Sequence, residues 1–272
     1  MRTRMTKFLF RPVALLGLVY AGLALFGAGC TDALIFPAPR PSYDGYLPGL
    51  VKLSDGEGGE IAAIWLPSDG SDTAVLYFHG NGEDLGHIRP TLEELRRETG
   101  CSVFAVDYPG YGLSSGSPSE DGCYHAANMA LAKLSSDYGY RADSVVVFGR
   151  SLGTGVAVDL AARKRVKGLV LVAPYTSTFR VVTKVKVLPM DRFDNLAKIE
   201  RITCPLFVAH GDADEVIPWS QGRQLFESAE NSKDKKFLTL QGLHHNDDIP
   251  MTQTAAYWDG VRHVTGSAPA GI

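Results

Sequence analysis

Two serines in this sequence lie in the pattern Gly-x-Ser-x-Gly, where the flanking glycines allow a serine to stand on a tight turn. One copy is centred on Ser114 and the other on Ser151. A serine hydroxyl held in this way can attack a carbonyl carbon if a neighbouring base accepts its proton. The pattern alone is weak evidence in a chain with 29 glycines, because short matches arise by chance. The surrounding sequence must therefore distinguish the two copies.

Only Ser151 lies between a strand-like run and a helical stretch. It follows Val-Val-Val-Phe at 145–148 and precedes residues 154–163, which are rich in glycine and alanine. A helix that starts directly after a strand presents the N–H groups of its first turn to a reacting oxygen. Ser114 is followed by Ser-Gly-Ser-Pro, which predicts a flexible turn without a helix. We therefore predict that Ser151 is the nucleophile.

The base must come from another strand end, and two of the seven histidines follow the last apolar run. His244 and His245 are adjacent in Gly-Leu-His-His-Asn-Asp, and only one can face Ser151 because neighbouring side chains diverge. Both are candidates from spacing alone. His79 follows an earlier run, in His-Gly-Asn-Gly. We expect His79 to support that loop through hydrogen bonds rather than to act as the base.

An acid is needed to orient the histidine and to stabilise its charged form. The run at 206–209 leads into His-Gly-Asp-Ala-Asp, so Asp212 and Asp214 both lie in a strand-end loop. Spacing does not choose between them, and either could instead form a turn or cap a helix. The order serine, aspartate, histidine differs from the orders of chymotrypsin-like and subtilisin-like proteases.

Two backbone N–H groups are expected to hold the developing oxyanion. One belongs to Leu152, directly after the nucleophile, and the other to the His-Gly-Asn-Gly loop, with Asn81 as the expected donor. Such a site performs acyl transfer with its own side chains. We therefore predict neither a metal nor an organic cofactor.

The elements that must position these residues alternate along the chain. Two strand-like runs, at 50–53 and 61–66, come first. Further short apolar runs then alternate with helical stretches, at 74–78, 102–106, 144–148, 168–172, 206–209 and 237–240. Apolar strands separated by helices are typical of an α/β fold with a mostly parallel sheet and helices on both faces. Ligands of such sheets bind beyond the carboxyl ends of the strands, which is where the candidate residues lie.

A chain of 272 residues with 45% hydrophobic residues can bury one sizeable core. We predict one catalytic domain at 47–266 with a short cap at about 175–203, preceded by a proline-rich tether at 30–46. The cap contains an apolar strip that could cover an acyl chain or pack on the sheet. The strip consists of Phe179, Val181, Val182, Val185, Val187 and Leu188.

The first 29 residues have the organisation of a signal peptide or membrane anchor. Four basic residues precede an uncharged stretch of 17 residues, which ends in Gly-Ala-Gly before Cys30. These small residues resemble a bacterial lipobox, although Gly27 stands where that motif usually has Leu, Val or Ile. We expect cleavage before Cys30 and lipidation of this residue. The alternatives for the N-terminal segment are an uncleaved membrane anchor and a buried helix. Lipidation and the anchor both attach an exported domain to membrane lipid.

Charge and cysteine content exclude other classes of protein. The net charge is −3, and the four basic residues of the N-terminal segment leave −7 on the remainder, so nothing supports a nucleic-acid partner. Cys101, Cys123 and Cys204 lack the spacing of metal ligands. A disulfide between Cys101 and Cys123 is possible in an exported domain, but nothing in the sequence requires it.

Taken together, these features resemble the α/β-hydrolases, especially the membrane-associated ABHD-type branch that includes protein depalmitoylases. The resemblance covers roughly residues 43–264. It rests on six blocks in order: FHGNGED (78–84), DYPGYGLSSGSPSE (107–120), GRSLGT (149–154), DRFDNLAKI (191–199), HGDADEVIP (210–218) and HHND (244–247). Six ordered blocks are far more specific than one Gly-x-Ser-x-Gly match.

The family pattern distinguishes the paired candidates. Its HG-x-x-D-x-[VI] block implies Asp214 as the acid, and its G-x-G-H-N-D block implies His245 as the base, with His244 where the family usually has glycine. The resemblance implies a serine hydrolase that cleaves an ester or thioester, of a small substrate or an acylated protein, through an acyl-enzyme. A peptidase or acyltransferase on the same triad is one alternative, and a membrane-tethered binding module without activity is another.

Overall fold

Eight strands form one sheet in the computed structural model, which describes residues 35–54, 58–183 and 191–267. The strands are β1 (Leu50–Ser54), β2 (Glu60–Leu66), β3 (Ala74–Phe78), β4 (Ser102–Val106), β5 (Val145–Arg150), β6 (Gly168–Val172), β7 (Leu206–Gly211) and β8 (Lys235–Leu240). Their order across the sheet is β1-β2-β4-β3-β5-β6-β7-β8. Strand β2 is antiparallel to its neighbours β1 and β4, and every other neighbouring pair is parallel. The predicted α/β fold with a mostly parallel sheet is confirmed.

Helices cover both faces of the sheet. In the described ranges they are α1 (Leu85–Thr99), α2 (Glu120–Tyr138), α3 (Gly153–Arg163), α4 (Thr178–Thr183), α5 (Leu196–Ile199), α6 (Trp219–Ser228) and α7 (Met251–Thr265), with a 3₁₀ turn at Ala142–Ser144. The apolar faces of α1 and α7 pack in one core layer, and those of α2, α3 and α6 pack in the other. The central strands are therefore buried on both faces, which explains their uninterrupted apolar sequences.

Helix α1 shows how sequence determines one of these layers. Leu85, Ile88, Leu92 and Leu95 recur every three or four residues and are all buried, as the pattern predicts. The helix begins after Asp84, whose side chain accepts the N–H of the first turn, and ends at Gly100 with φ 66°.

Cys101 and Cys123 lie in core layers on opposite faces of the sheet. Each behaves as a small buried apolar side chain. The structure therefore contains no disulfide between them, and the possibility left open by the sequence is excluded.

The described part of the predicted tether, residues 35–46, packs on the domain. Phe36 is buried against Phe193, with ring centroids 6.1 Å apart, and the Tyr43 hydroxyl donates a hydrogen bond to Asp107 at 2.5 Å. A free tether is therefore the wrong description of these residues. Their aromatic side chains supply both apolar area and a polar contact, which hold the segment on the surface.

The predicted signal or anchor, residues 1–29, and Cys30 lie outside the described residues. None of the helices in the described ranges combines the length and apolar character needed to cross a bilayer.

The described parts of the predicted cap, residues 175–183 and 191–203, pack towards α3. Tyr175 and Phe193 are buried, and the Tyr175 hydroxyl donates to the Leu152 carbonyl oxygen at 3.2 Å. In the predicted apolar strip, Val181 packs partly buried against the same core layer. The other side chains of the strip lie outside what the structure describes, so its role over an acyl chain stays a prediction.

Candidate active site

The loops that carry the candidate residues meet at one edge of the sheet. Phe78 pairs with Gly149, so the loop after β3 begins beside Ser151. Gly211 pairs with Leu240, so the loops after β7 and β8 also begin side by side. All four strands are parallel, and their carboxyl ends therefore bring the four loops together.

Ser151 stands on a tight turn between β5 and α3. Its φ of 50° is in the left-handed region, which costs a residue other than glycine about 1–3 kcal/mol. The Ser151 N–H donates to the Val172 carbonyl oxygen at 2.9 Å, which holds the turn against β6. A Cβ on Gly153 would lie 2.1 Å from the Phe78 carbonyl oxygen, so only glycine allows α3 to begin this close to β3. Gly153, the last glycine of the Gly-x-Ser-x-Gly pattern, is thus required by the close approach of α3 to β3.

Ser151, His245 and Asp214 form one hydrogen-bonded row. Ser151 Oγ lies 3.0 Å from His245 Nε2, and His245 Nδ1 lies 2.7 Å from Asp214 Oδ2. An ionised carboxylate can only accept, so the Nδ1 atom carries the imidazole hydrogen and Nε2 presents a lone pair to the serine hydroxyl. This arrangement can remove the hydroxyl proton and stabilise the imidazolium that results.

The surroundings of Asp214 favour its ionised form. Burial raises the pKa of this carboxyl, but hydrogen bonds from His210, from His245 and from the Ile217 amide outweigh burial and hold the pKa well below its usual range. Oδ1 accepts the N–H groups of Val216 and Ile217 at 2.9 and 2.7 Å. His210 Nε2 lies 3.4 Å from Oδ2 and 2.9 Å from the Ile217 carbonyl oxygen. His210 thus braces this loop and also contacts the acid.

The alternative candidates face elsewhere. The exposed His244 directs Nδ1 to Glu215 Oε2 at 3.0 Å, and this contact raises the pKa of His244. Asp212 Oδ1 accepts the Gly242 N–H at 2.6 Å and so joins the loops after β7 and β8. Ser114 is buried, and its Oγ accepts a backbone N–H of β2 at 2.9 Å. The predicted turn without a helix is confirmed, and the hydrogen bond of Ser114 Oγ holds this turn against the sheet.

The loop after β3 is held in place by two tyrosines. The Tyr108 hydroxyl donates to the His79 carbonyl oxygen at 2.7 Å, and the Tyr111 hydroxyl donates to the Asn81 carbonyl oxygen at 3.0 Å. His79 is fully buried, and its Nδ1 lies 2.7 Å from the next carbonyl oxygen in the chain. Among the described residues, no protein acceptor takes the N–H of Asn81 or of Leu152. Both amides therefore have the capacity to bind an oxyanion.

A cavity of about 540 Å³ borders the acid and the base on the side of the sheet covered by α1 and α7. Its lining includes Asp214 and His245 but not Ser151. The rest of its wall combines charged or titratable side chains with apolar and aromatic ones. The first group is Glu83, Glu94, Arg150, His244, Asp247 and Asp248, and the second includes Phe148, Leu240 and Trp258. The cavity therefore borders the loop that carries His245 rather than the nucleophile. No group of side chains in the described part of the chain is arranged to hold a metal ion.

Sequence reasoning missed a charged bridge beside the nucleophile. Arg150, the residue before Ser151, directs Nη1 to Glu83 Oε1 at 2.9 Å and Nη2 to the His245 carbonyl oxygen at 3.2 Å. The only signal for it was a charged residue at the variable position of the Gly-x-Ser-x-Gly pattern. Spacing could not identify its partners, because they lie 67 and 95 positions away.

Comparisons with known proteins show the family to which the chain belongs. The model of a hydrolase family described as serine aminopeptidase, S33, matches residues 69–198. The human alpha/beta hydrolase domain-containing protein 17B is 38% identical over 195 residues, which cover 70% of this chain and 67% of that protein.

Solved structures resemble the fold at low sequence identity. An esterase of Pyrococcus furiosus has a TM-score of 0.70 at 18% identity, over 84% of this chain and 96% of the esterase. A monoacylglycerol lipase of Paleococcus ferrophilus has a TM-score of 0.60 at 22% identity, over 77% and 99% of the two chains. The resemblance inferred from the six sequence blocks is confirmed. The chain belongs to the ABHD-type branch of the α/β-hydrolase superfamily and is a serine hydrolase.

Proposed function

We propose that this serine hydrolase cleaves carboxylic ester or thioester bonds through an acyl-enzyme, with Ser151 as nucleophile, His245 as base and Asp214 as acid. The observation that supports the proposal most is the unbroken row of contacts from Ser151 Oγ through the imidazole to Asp214 Oδ2. The low pKa of the Asp214 carboxyl keeps a negative charge beside the imidazole at neutral pH.

The reaction has two steps. His245 Nε2 takes the proton of Ser151 as Oγ adds to the carbonyl carbon, and the N–H groups of Asn81 and Leu152 bind the oxyanion. The carbon–oxygen or carbon–sulfur bond then breaks, and the alcohol or thiol leaves with the proton from His245. Next, His245 takes a proton from water, the resulting hydroxide adds to the acyl carbon, and Ser151 leaves with that proton as the carboxylic acid is released.

A panel of substrates tests the bond that is cleaved. We expect wild-type protein to turn over p-nitrophenyl esters and an acyl thioester, and to lose both activities in Ser151→Ala. The matched control is Ser114→Ala, the other serine in a Gly-x-Ser-x-Gly pattern, which should stay within about threefold of the wild type. Ester turnover that survives in Ser151→Ala would contradict the mechanism.

The match to the serine aminopeptidase family makes amide hydrolysis a second candidate. The same three residues can cleave an amide if the histidine protonates the leaving amine. An aminoacyl p-nitroanilide therefore belongs in the panel. Faster turnover of the anilide than of every ester and thioester would favour a peptidase.

We also propose that the substrate lies at a membrane. The Asn81 side chain donates to the Ile35 carbonyl oxygen at 3.4 Å, so the chain passes the proposed oxyanion loop just after the predicted lipidation site. Five extended residues span at most about 18 Å. A lipid on Cys30 would therefore hold the Ser151 edge of the sheet close to the bilayer, which suits an acyl lipid or an acylated protein.

The intact mass of the protein tests the attachment. We expect protein purified from bacterial membranes to lack residues 1–29 and to carry acyl chains on Cys30, because two or more chains hold a protein on a bilayer. Cys30→Ser should instead leave the longer precursor. A wild-type mass that matches the uncleaved chain would reject lipidation and favour a transmembrane anchor.

A further inference from the structure

Arg150 and Glu83 connect three loops of the candidate site. Glu83 Oε2 accepts the Gly80 N–H at 2.8 Å, within the loop that carries Asn81. Glu83 Oε1 lies 2.9 Å from Arg150 Nη1, and Arg150 Nη2 donates to the His245 carbonyl oxygen at 3.2 Å. One continuous set of charge-assisted hydrogen bonds thus runs from the oxyanion loop, past the nucleophile turn, to the backbone of the base.

The position of this bridge makes it stronger than a surface ion pair. The Arg150 and Glu83 side chains are only 24% and 28% exposed, whereas those of the ion pair Arg223–Glu227 in α6 are 43% and 60% exposed. Water and salt weaken an exposed pair more than a partly buried one. Charge-assisted hydrogen bonds are also roughly twice as strong as neutral ones.

We propose that Arg150 and Glu83 are positioning residues, which hold the oxyanion loop and His245 at their working distances from Ser151. This inference rests on the proposed function and deepens it. The nucleophile, the base and the oxyanion donors come from three different strand ends, so no single element fixes their separation. Catalytic groups must keep their geometry to within about 0.5 Å, and a displacement of about 1 Å can cost 100-fold in rate.

The proposal predicts coupled losses in the two variants Arg150→Met and Glu83→Gln. Each should react with a fluorophosphonate probe about 10- to 100-fold more slowly than the wild type, because either change breaks the same connection. The double variant should be no slower than the slower single variant, within about threefold. Arg150→Lys should recover part of the rate, since one ammonium can contact Glu83 while the contact with the His245 carbonyl is lost.

Inhibition by a boronic acid separates positioning from a loss of folded protein. A boronate adduct on Ser151 resembles the tetrahedral intermediate, so its Ki reports the geometry of correctly folded molecules. We expect Ki to rise in Arg150→Met and Glu83→Gln by about the same factor as the labelling rate falls. Arg223→Met is the control, because it removes an arginine from an ion pair far along the chain in α6, and its labelling rate and Ki should equal those of the wild type.

The outcomes are distinct. The proposal would be overturned if Arg150→Met and Glu83→Gln had labelling rates and Ki values within about twofold of the wild type. It would also be overturned if the losses of labelling rate in the two single variants multiplied in the double variant. If Arg150→Met does not fold, Glu83→Gln and Arg150→Lys test the same connection. Ser151→Ala is measured alongside. If it is labelled like the wild type, the proposed function itself has failed. If it is silent while the Arg150 variants react normally, only the positioning role has failed.

Discussion

Replacing Asp214 with asparagine removes one charge and leaves the shape of the side chain almost unchanged. In the wild type, Oδ1 accepts two backbone N–H groups and Oδ2 accepts the hydrogen of His245 Nδ1. An asparagine that keeps its oxygen on the backbone N–H groups must turn its NH₂ group towards Nδ1. The imidazole hydrogen then moves to Nε2, and no lone pair faces Ser151.

The expected loss follows from this change of tautomer. We expect kcat for ester hydrolysis to fall about 10⁴-fold in Asp214→Asn, the order of loss typical of this substitution in Ser-His-Asp enzymes. The loss corresponds to about 5 kcal/mol of activation free energy. It is measured by steady-state hydrolysis of the p-nitrophenyl ester that the wild type cleaves fastest, with circular dichroism spectra to compare the folds.

Asp212→Asn is the matched control in the same loop. Its Oδ1 accepts the Gly242 N–H, and an asparagine oxygen can do the same, so kcat should stay within about threefold of the wild type. A loss of less than tenfold in Asp214→Asn would refute the reasoning, because it would mean that this carboxylate does not set the tautomer of His245.

Three further results are expected. His245→Gln should lower kcat about 10⁴-fold or more in the same ester assay. His244 is exposed, and the kcat of His244→Gln should stay within about threefold of the wild-type value. The reverse result would assign the base to His244. Gly153→Ala places a Cβ 2.1 Å from a backbone oxygen of β3 and should lower the free energy of unfolding in urea by about 1–3 kcal/mol. Gly45→Ala, with nothing within 4 Å of its Cβ, should change that free energy by less than about 0.5 kcal/mol, and equal effects would contradict the packing argument. The pKa of Asp214 is lower in the folded chain than its usual value of 3.8, so its carboxylate stabilises the fold at neutral pH, and this contribution is lost as pH falls below about 4. The free energy of unfolding of the wild type should therefore start to approach that of Asp214→Asn only as pH falls below about 4. A difference that stays constant down to the most acid pH at which the protein folds would show that the carboxylate does not contribute in this way.

Local sequence patterns were sufficient to predict the sheet. The strand at Ala74–Phe78 is apolar at every position because both of its faces are buried. Strand ends were harder to predict. Strand β5 continues through Gly149 to Arg150, and β7 continues to Gly211, because these residues pair with neighbouring strands although their side chains are not apolar. The end of a strand depends on hydrogen bonds to the neighbouring strands. A run of apolar residues in the sequence does not reveal those partners.

Side-chain direction in the loops could not be predicted from spacing. Asp212 and Asp214 are two positions apart, yet one binds a backbone N–H at the β8 loop and the other binds His245. Only the resemblance to a known family distinguished them before the structure did. The bridge between Arg150 and Glu83 was missed altogether, since it depends on how β3 and β5 lie next to each other in the sheet.

The packing of residues 35–46 was missed for a similar reason. The prolines at positions 37, 39 and 41 give this segment the composition of a linker, and composition alone predicts a tether. The hydrogen bond from Tyr43 to Asp107 joins residues 64 positions apart. This contact depends on the fold of the sheet, which places the loop after β4 beside residues 35–46, so the sequence alone does not predict it.

Mapping of a fluorophosphonate adduct by mass spectrometry tests the central claim most directly. The reaction needs an activated serine but not the natural substrate, so it reports the nucleophile whatever acyl group the enzyme prefers. We predict one adduct per chain on the peptide that contains Ser151, none in Ser151→Ala, and normal labelling in Ser114→Ala. A wild type that does not react, or an adduct on any residue other than Ser151, would contradict the account.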